Sequence, residues 1–290
     1  MRYYASKTHD RLNGQVFAPE RYAPVCINPY YRVTIEGGGA FMIDSGAFQD
    51  VGADSRITPE EALRRQLDFE RTVTPDGRPA YAIVSYDRLV DEQNAGGKQI
   101  KSRVTEEEGA DYVRETVEAA RFLASRRAEL APRRLILSCQ GTTVPQYMDC
   151  VRQVLEIAEE EDIIGLGGFC IISRSKEAEA QFYAVIDQAF PAIASAGITR
   201  VHIFGVGIMR VLIRAETLAK KYGISCSYDT SSYEVNAVFG RIFDPSAGQL
   251  SRVFGKADKG TAYRPAELAH FNIRMVRAFW DGFAEMEGTA

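Results

Sequence analysis

No run of about 18 apolar residues occurs in the chain, so a membrane-spanning helix is not expected. Cysteines are few and scattered. Cys26, Cys139, Cys150, Cys170 and Cys226 form no CxxC or CxC pair, and an odd five cannot all be bridged, which argues against a local zinc knuckle and a disulfide framework. Cys26, Cys139, Cys170 and Cys226 lie in or beside apolar runs and read as small buried hydrophobes. An excess of positive charge is missing too. At a net charge of −4 the protein has no global attraction to nucleic acid, although a local groove of Lys and Arg stays compatible with that value. The first ten residues have neither an apolar core nor a small-residue cleavage site, which predicts no signal peptide and a cytoplasmic protein.

What is present is ordinary globular composition, 46% hydrophobic and 26% charged, in 290 residues that suffice for one large α/β barrel or two ordinary domains. The pattern is organised around residues 41–50, FMIDSGAFQD, where a short apolar run delivers an acid, a serine and a glycine to one point. Similar apolar runs recur at residues 24–28, 81–87, 135–141, 163–169, 201–207 and 224–229. Helical stretches separate most of them. Thr58-Pro59-Glu60-Glu61 reads as a helix start, Thr105 opens a helix with Ala110, Val113, Val117, Ala120 and Leu123 on one stripe, and further helices are expected over 144–160, 177–196, 211–222 and 265–283. This makes seven βα beats, or eight if residues 31–36 add a strand. Continuous apolar strands spaced by helices imply a parallel sheet covered on both faces. At this length the pattern predicts an α/β fold, a closed (β/α)8 TIM-type barrel in one domain over residues 1–290. Residues 1–23 are expected as an arm across one end, and residues 244–290 as a basic, helical closing segment.

In such a barrel the polar residues at strand exits share one mouth. The convergent set is Asp44, Ser45, Asp87, Gln140, Gly167, Gly168, Gly207 and Asp229. Asp44 has a competing reading, as a side-chain cap of the turn that follows it. Three acids without a Cys or His cluster suggest a hard metal or acid/base and nucleophilic carboxylates. A flat polar base would use the whole set. It needs acceptors for its N–H groups, an amide that donates and accepts, and bare backbone for close approach, which Asp87, Gln140 and Gly167-Gly168 supply. A second carboxylate could then stabilise or attack a sugar carbon as its bond to the base breaks.

The motifs DSGAFQ (44–49), YD (86–87), CQG (139–141), GLGGF (165–169), FGVG (204–207) and YD followed by NAVFGRIF (228–243) resemble, in order and at similar intervals, those of tRNA-guanine transglycosylases. The resemblance implies a pentosyltransferase that exchanges guanine in a nucleic acid for a 7-deazaguanine with no cofactor. Asp229 matches the nucleophile and Asp44 the general acid/base. Phe48 matches an aromatic that stacks on the base, and Asp87, Gln140 and Gly168, with Ser45 and Gly167 beside them, match base-binding positions. Two departures stand out. Gly46-Ala47 replaces a GG pair, and the CxCxxC zinc segment of the family is absent. His270 resembles the family's ligand histidine but has lost its partners, so a packed or capping histidine and no metal are expected.

The zinc subdomain supports tRNA binding in the family, and its loss directs the expectation to the branch that resembles proteins inserting 7-cyano-7-deazaguanine or a related base into DNA. Arg241, Arg252, Lys256, Lys259 and Arg264 are then candidates for a phosphate track, or simply a solvated basic face. The expected partners are DNA and the free base. Family enzymes are often dimers, so a homodimer is included. Exchange on tRNA, and a non-catalytic nucleic-acid-binding paralogue, are the competing expectations. Keeping both Asp44 and Asp229 speaks against the latter.

Overall fold

The computed structural model describes residues 1–50, 57–93, 100–169, 176–253 and 263–288. Eight parallel strands close into a barrel: β1 (Arg2–Ser6), β2 (Val25–Ile27), β3 (Phe41–Ile43), β4 (Ala82–Val84), β5 (Arg134–Cys139), β6 (Ile163–Leu166), β7 (Arg200–Ile203) and β8 (Ser225–Thr230). Each strand pairs with its neighbours in sequence, and β1 closes the ring against β8, with Tyr4 opposite Asp229. The predicted barrel is therefore present, with a correction to its first stave. The eighth strand is β1, inside the segment expected to be an arm, and residues 31–36 form no strand. Tyr3, Tyr4 and Ala5 are all buried, so β1 is covered on both faces although its sequence is aromatic and polar instead of aliphatic. Residues 31–36 look strand-like because Val33 and Ile35 are buried. Their backbone instead docks on a helix end, where the Ile35 N–H donates to the Val73 carbonyl at 2.7 Å.

The main helices are α1 (Pro59–Val73), α2 (Glu106–Ser125), α3 (Val144–Leu155), α4 (Lys176–Ser195), α5 (Met209–Lys221), α6 (Ser232–Val238) and α7 (Pro265–Gly288). Threonines begin the first three. The Thr58, Thr105 and Thr143 side chains accept from the backbone N–H three residues on, and Thr105 with Glu108 completes a reciprocal capping box. In α2 the expected stripe is buried at Val113, Val117, Ala120 and Leu123, but Gly109 replaces Ala110 on it. A Cβ at Gly109 would stand 2.6 Å from Thr142 Oγ1, so the helix approaches the loop after β5 more closely than an alanine permits.

Among the described residues no α-helix follows β1 or β2. Their connections hold a ribbon of Arg11–Leu12 with Gln15–Val16, a 3-10 turn at Pro19–Arg21, and irregular chain. β1 needs apolar cover, and α7 supplies it. Ile273, Val276 and Trp280 join the core that holds Tyr3, Tyr228 and Tyr233, and the Trp280 indole N–H donates to the Tyr228 hydroxyl at 2.9 Å. The closing segment is thus part of the barrel wall. Two further antiparallel ribbons pair Asp91–Gln93 with Ile100–Arg103 and Arg241–Asp244 with Gln249–Arg252. The polar loop predicted over residues 91–101 falls partly on the first ribbon and partly outside the described residues. No described helix is long and apolar enough to cross a membrane.

Side chains alternate along each strand. Tyr4, Cys26, Met42, Ala82, Val84, Ile136 and Ile163 pack together inside the barrel, while Tyr3, Ala5, Val25, Ile27, Phe41 and Ile43 face the outer core. Deleting residues 1–6 is expected to abolish the cooperative thermal transition followed by circular dichroism, because it opens the barrel. A deletion that keeps that transition would show that the segment is a dispensable arm.

Candidate active site

Two residues beyond an inward-facing core position, the same strand phase again points into the barrel. Tyr4 leads to Ser6, Cys26 to Asn28, Met42 to Asp44 and Ser227 to Asp229, and Ile136 leads through Ser138 to Gln140. All these lie at the C-terminal ends of parallel strands, which face one mouth.

Asp229 stands at the end of β8 with about 15% of its side chain exposed. Its Oδ1 accepts from the Gly205 N–H at 3.2 Å and faces His202 Nε2 at 3.3 Å, and its Oδ2 accepts from the Ser6 hydroxyl at 3.4 Å. His202 is fully buried on β7, edge-on to Tyr4 and Phe204, and its Nδ1 lies 2.9 Å from Ser227 Oγ. Three groups thus meet this carboxylate, one from β1 and two from β7 and its exit.

Asp44 begins the exit of β3. Asn28 Nδ2 donates to its Oδ2 at 3.0 Å and also to Gln49, while Asn28 Oδ1 accepts from the Tyr30 N–H at 3.0 Å, which fixes the amide. The backbone here is pinned from behind by Gln66 of α1. Its buried amide faces the carbonyls of Ile43 (3.4 Å), Asp44 (3.0 Å) and Val84 (2.9 Å) and joins the exits of β3 and β4. Burial, followed by the negative charges of Asp87 and Asp229, raises the Asp44 carboxyl to about 7, against the opposing hydrogen bonds from the Ser45 backbone and Asn28. A carboxyl held there exchanges a proton near neutrality, as a general acid/base must.

Asp87 is buried, and both its oxygens are engaged. Ser45 Oγ donates to Oδ1 at 2.7 Å and Gln140 Nε2 to Oδ2 at 2.7 Å. Burial raises this carboxyl to about 6, with the Ser45 and Gln140 donors pulling the other way. Gln140 is fully buried, and its Oε1 accepts from the Val90 N–H at 3.1 Å. After these bonds one Nε2 hydrogen of Gln140 is left, and each Asp87 oxygen keeps a further lone pair with which to accept. At Gly167 the N–H donates to the Cys139 carbonyl and the carbonyl accepts from the Tyr147 hydroxyl, so what the position offers is backbone without a side chain. A Cβ there would lie 3.8 Å from Asp87 Oδ2. Gly168 has φ +75°, and a Cβ would meet Val90 at 3.0 Å, which reserves that position for glycine. Gly207 has a different role. A Cβ there would stand 2.6 Å from Ser232 Oγ, so the β7 exit packs directly on the β8 exit.

Phe48, in the short helix Ala47–Asp50, is about 41% exposed, beside the strand exit that carries Asp44. The proposed phosphate track divides. Arg241 is exposed, donates to Asn236 and is the register partner of Arg252. Arg264 pairs with Glu267 at the start of α7, and Lys256 and Lys259 lie outside the described residues. His270 is a packed histidine. Its Nε2 accepts from the Ala18 N–H at 3.1 Å and its ring stacks on Phe17. Burial, helped by Arg21 and Arg274, lowers its pKa. The described cysteines, Cys26, Cys139, Cys150 and Cys226, are buried and free, and Cys170 lies outside the described residues. Among the described residues no group of three or more His, Cys, Asp or Glu is arranged to hold a metal ion.

Ser6, Asn28, Gln66 and His202 were not recognised as site residues from sequence. A signal existed for all but Gln66, a polar residue at the inward phase of a strand. For Ser6 it was hidden by reading β1 as an arm.

Asp44 binds its proton more tightly in the folded than in the unfolded state, so its contribution to stability declines as pH rises from about 4 to about 7. The displacement corresponds to at most about 4 kcal/mol, part of which solvent at the mouth screens. Asp44→Asn is expected to stabilise the fold by about 1 to 3 kcal/mol at pH 8, with the gain vanishing toward pH 4 in denaturant titrations.

No family model matches the chain, and no curated protein matches it. Among solved structures it is similar to a protein from Coccidioides immitis described as a fructose-1,6-biphosphate aldolase, with a TM-score of 0.41 and 11% identity, over 98% of this chain and 88% of that one. It is also similar to Rhizobium etli pyruvate carboxylase, with a TM-score of 0.35 and 11% identity, over 98% of this chain and 28% of that one.

Proposed function

We propose that the protein is a base-exchange transglycosylase that replaces guanine in DNA with a 7-deazaguanine such as 7-cyano-7-deazaguanine. The observation that supports this reading most is the pairing of two unlike carboxyls at one mouth. Asp44 is held near neutrality by burial and by the charges of Asp87 and Asp229, whereas Asp229 is surrounded by donors that suit a carboxylate. Such a division assigns acid/base and nucleophilic roles.

In the first half-reaction a carboxylate oxygen of Asp229 bonds to C1′ as the C1′–N9 bond breaks. The bonding pair passes to N9 of the departing guanine, and protonated Asp44 supplies its proton. In the second, Asp44 takes the N9 proton of the incoming base, N9 bonds to C1′, and the ester pair returns to Asp229. Asp87 and Gln140, locked together and to Ser45 and Val90, form one wall for the base edge. Gly167 and Gly168 leave room beside them, and exposed Phe48 offers a stacking face. The reading calls for no cofactor. DNA is favoured over tRNA because α7 of the closing segment packs over β1 and β8 and the segment carries no counterpart of the family's cysteine zinc ligands, while Arg241 and Arg252 are brought into register on an adjoining ribbon.

Incubation with labelled 7-cyano-7-deazaguanine and either duplex DNA or tRNA is expected to label DNA. Labelled tRNA would replace DNA as the substrate, and no label in either would leave the non-catalytic reading. Asp229→Asn is expected to lower exchange by more than about 1,000-fold while the protein still binds DNA. Elemental analysis is expected to find no stoichiometric zinc.

A further inference from the structure

The hydrogen bonds around Asp229 are unequal, and their inequality distinguishes its two oxygens. Oδ1 is held by the Gly205 N–H at 3.2 Å and by His202 Nε2 at 3.3 Å, groups fixed by backbone and by complete burial. Oδ2 has the Ser6 hydroxyl at 3.4 Å, the longest of the three contacts, from a group that can rotate away. An ionised carboxylate only accepts, so His202 must carry its hydrogen on Nε2 when Asp229 is ready to react. Its Nδ1 then faces Ser227 Oγ at 2.9 Å. That hydroxyl has another acceptor, the Val201 carbonyl, at the longer distance of 3.2 Å. Donation to Nδ1 leaves the neutral ring as the Nε2–H tautomer, the form Asp229 needs.

We infer that His202 is a positioning residue that, with the Gly205 N–H, anchors Asp229 Oδ1 so that Oδ2 is the oxygen that bonds to the sugar carbon. The inference rests on the transglycosylase reading and deepens it. When Oδ2 forms the ester and the C1′–N9 pair leaves with guanine, Oδ1 becomes the ester carbonyl and keeps the Nε2–H and Gly205 N–H donors. When the ester breaks, the same donors stabilise the returning negative charge. No proton moves through His202 in either half-reaction. Ser227 acts one step further out, by selecting the tautomer.

The test compares two variants of similar size in the DNA exchange assay. His202→Gln keeps an N–H at the distance of Nε2, and His202→Met fills the space without one. His202→Gln is expected to stay within about fivefold of the wild-type kcat, while His202→Met loses about 10- to 100-fold in kcat with KM for DNA unchanged. Trapping of the covalent protein–DNA adduct should slow by the same factor. Wild-type kcat in His202→Met overturns the inference, and so does an equal loss in both variants, since packing alone would then explain it. Ser227→Ala leaves the ring in place and serves if His202→Met does not fold. It is expected to lose about three- to tenfold in kcat, and a wild-type value overturns the inference. A wild-type protein that exchanges no base on DNA or tRNA overturns the transglycosylase reading itself. Exchange by the wild type with insensitivity to both positions overturns the role of His202 alone.

Discussion

The ladder between β1 and β8 is the constraint on which the rest of the mouth depends. It turns an open row of parallel strands into a ring and sets Tyr4 opposite Asp229, so that Ser6 and Asp229 meet although 223 residues separate them. Closure also fixes which side chains are inside. On a closed sheet of alternating side chains, a one-residue change of phase would send Asp44 or Asp229 into the outer core.

Three carboxyls and a histidine then gather where an apolar interior gives way to solvent. The cost of burying them is met differently at each position. Burial raises Asp87 to about 6 against its Ser45 and Gln140 donors, and burial together with the charges of Asp87 and Asp229 raises Asp44 to about 7 against Ser45 and Asn28, while Asp229 faces Ser6, His202 and the Gly205 N–H. Supporting residues such as Gln66 and Asn28 hold the strand exits in place without facing the reaction themselves.

Much of the fold was legible from sequence because buried parallel strands are short, continuous apolar runs and their helices open with Thr caps. Six of the seven strands counted from residue 24 are followed by a helix, as expected; β2 (Val25–Ile27) is followed by irregular chain that leads directly to β3. The failure at residues 1–23 also has a physical cause. Arg2-Tyr3-Tyr4-Ala5-Ser6 contains no aliphatic run, and its two tyrosines are buried by distant segments, Tyr4 inside the closed barrel and Tyr3 in the outer core that α7 joins. Residues 31–36 erred in the opposite direction, since Val33 and Ile35 are buried without belonging to a sheet.

The sequence by itself determined the βα rhythm and the residue types at the strand exits, including Asp44, Asp87, Gln140 and Asp229, since periodicity and turn chemistry are local properties. Only the tertiary structure decided that Arg2–Ser6 is the closing stave, that Asp87 and Gln140 are already bonded to each other, and that His202 lies against Asp229. Those relations are distances between segments far apart in the chain, and they exist only once the barrel has closed.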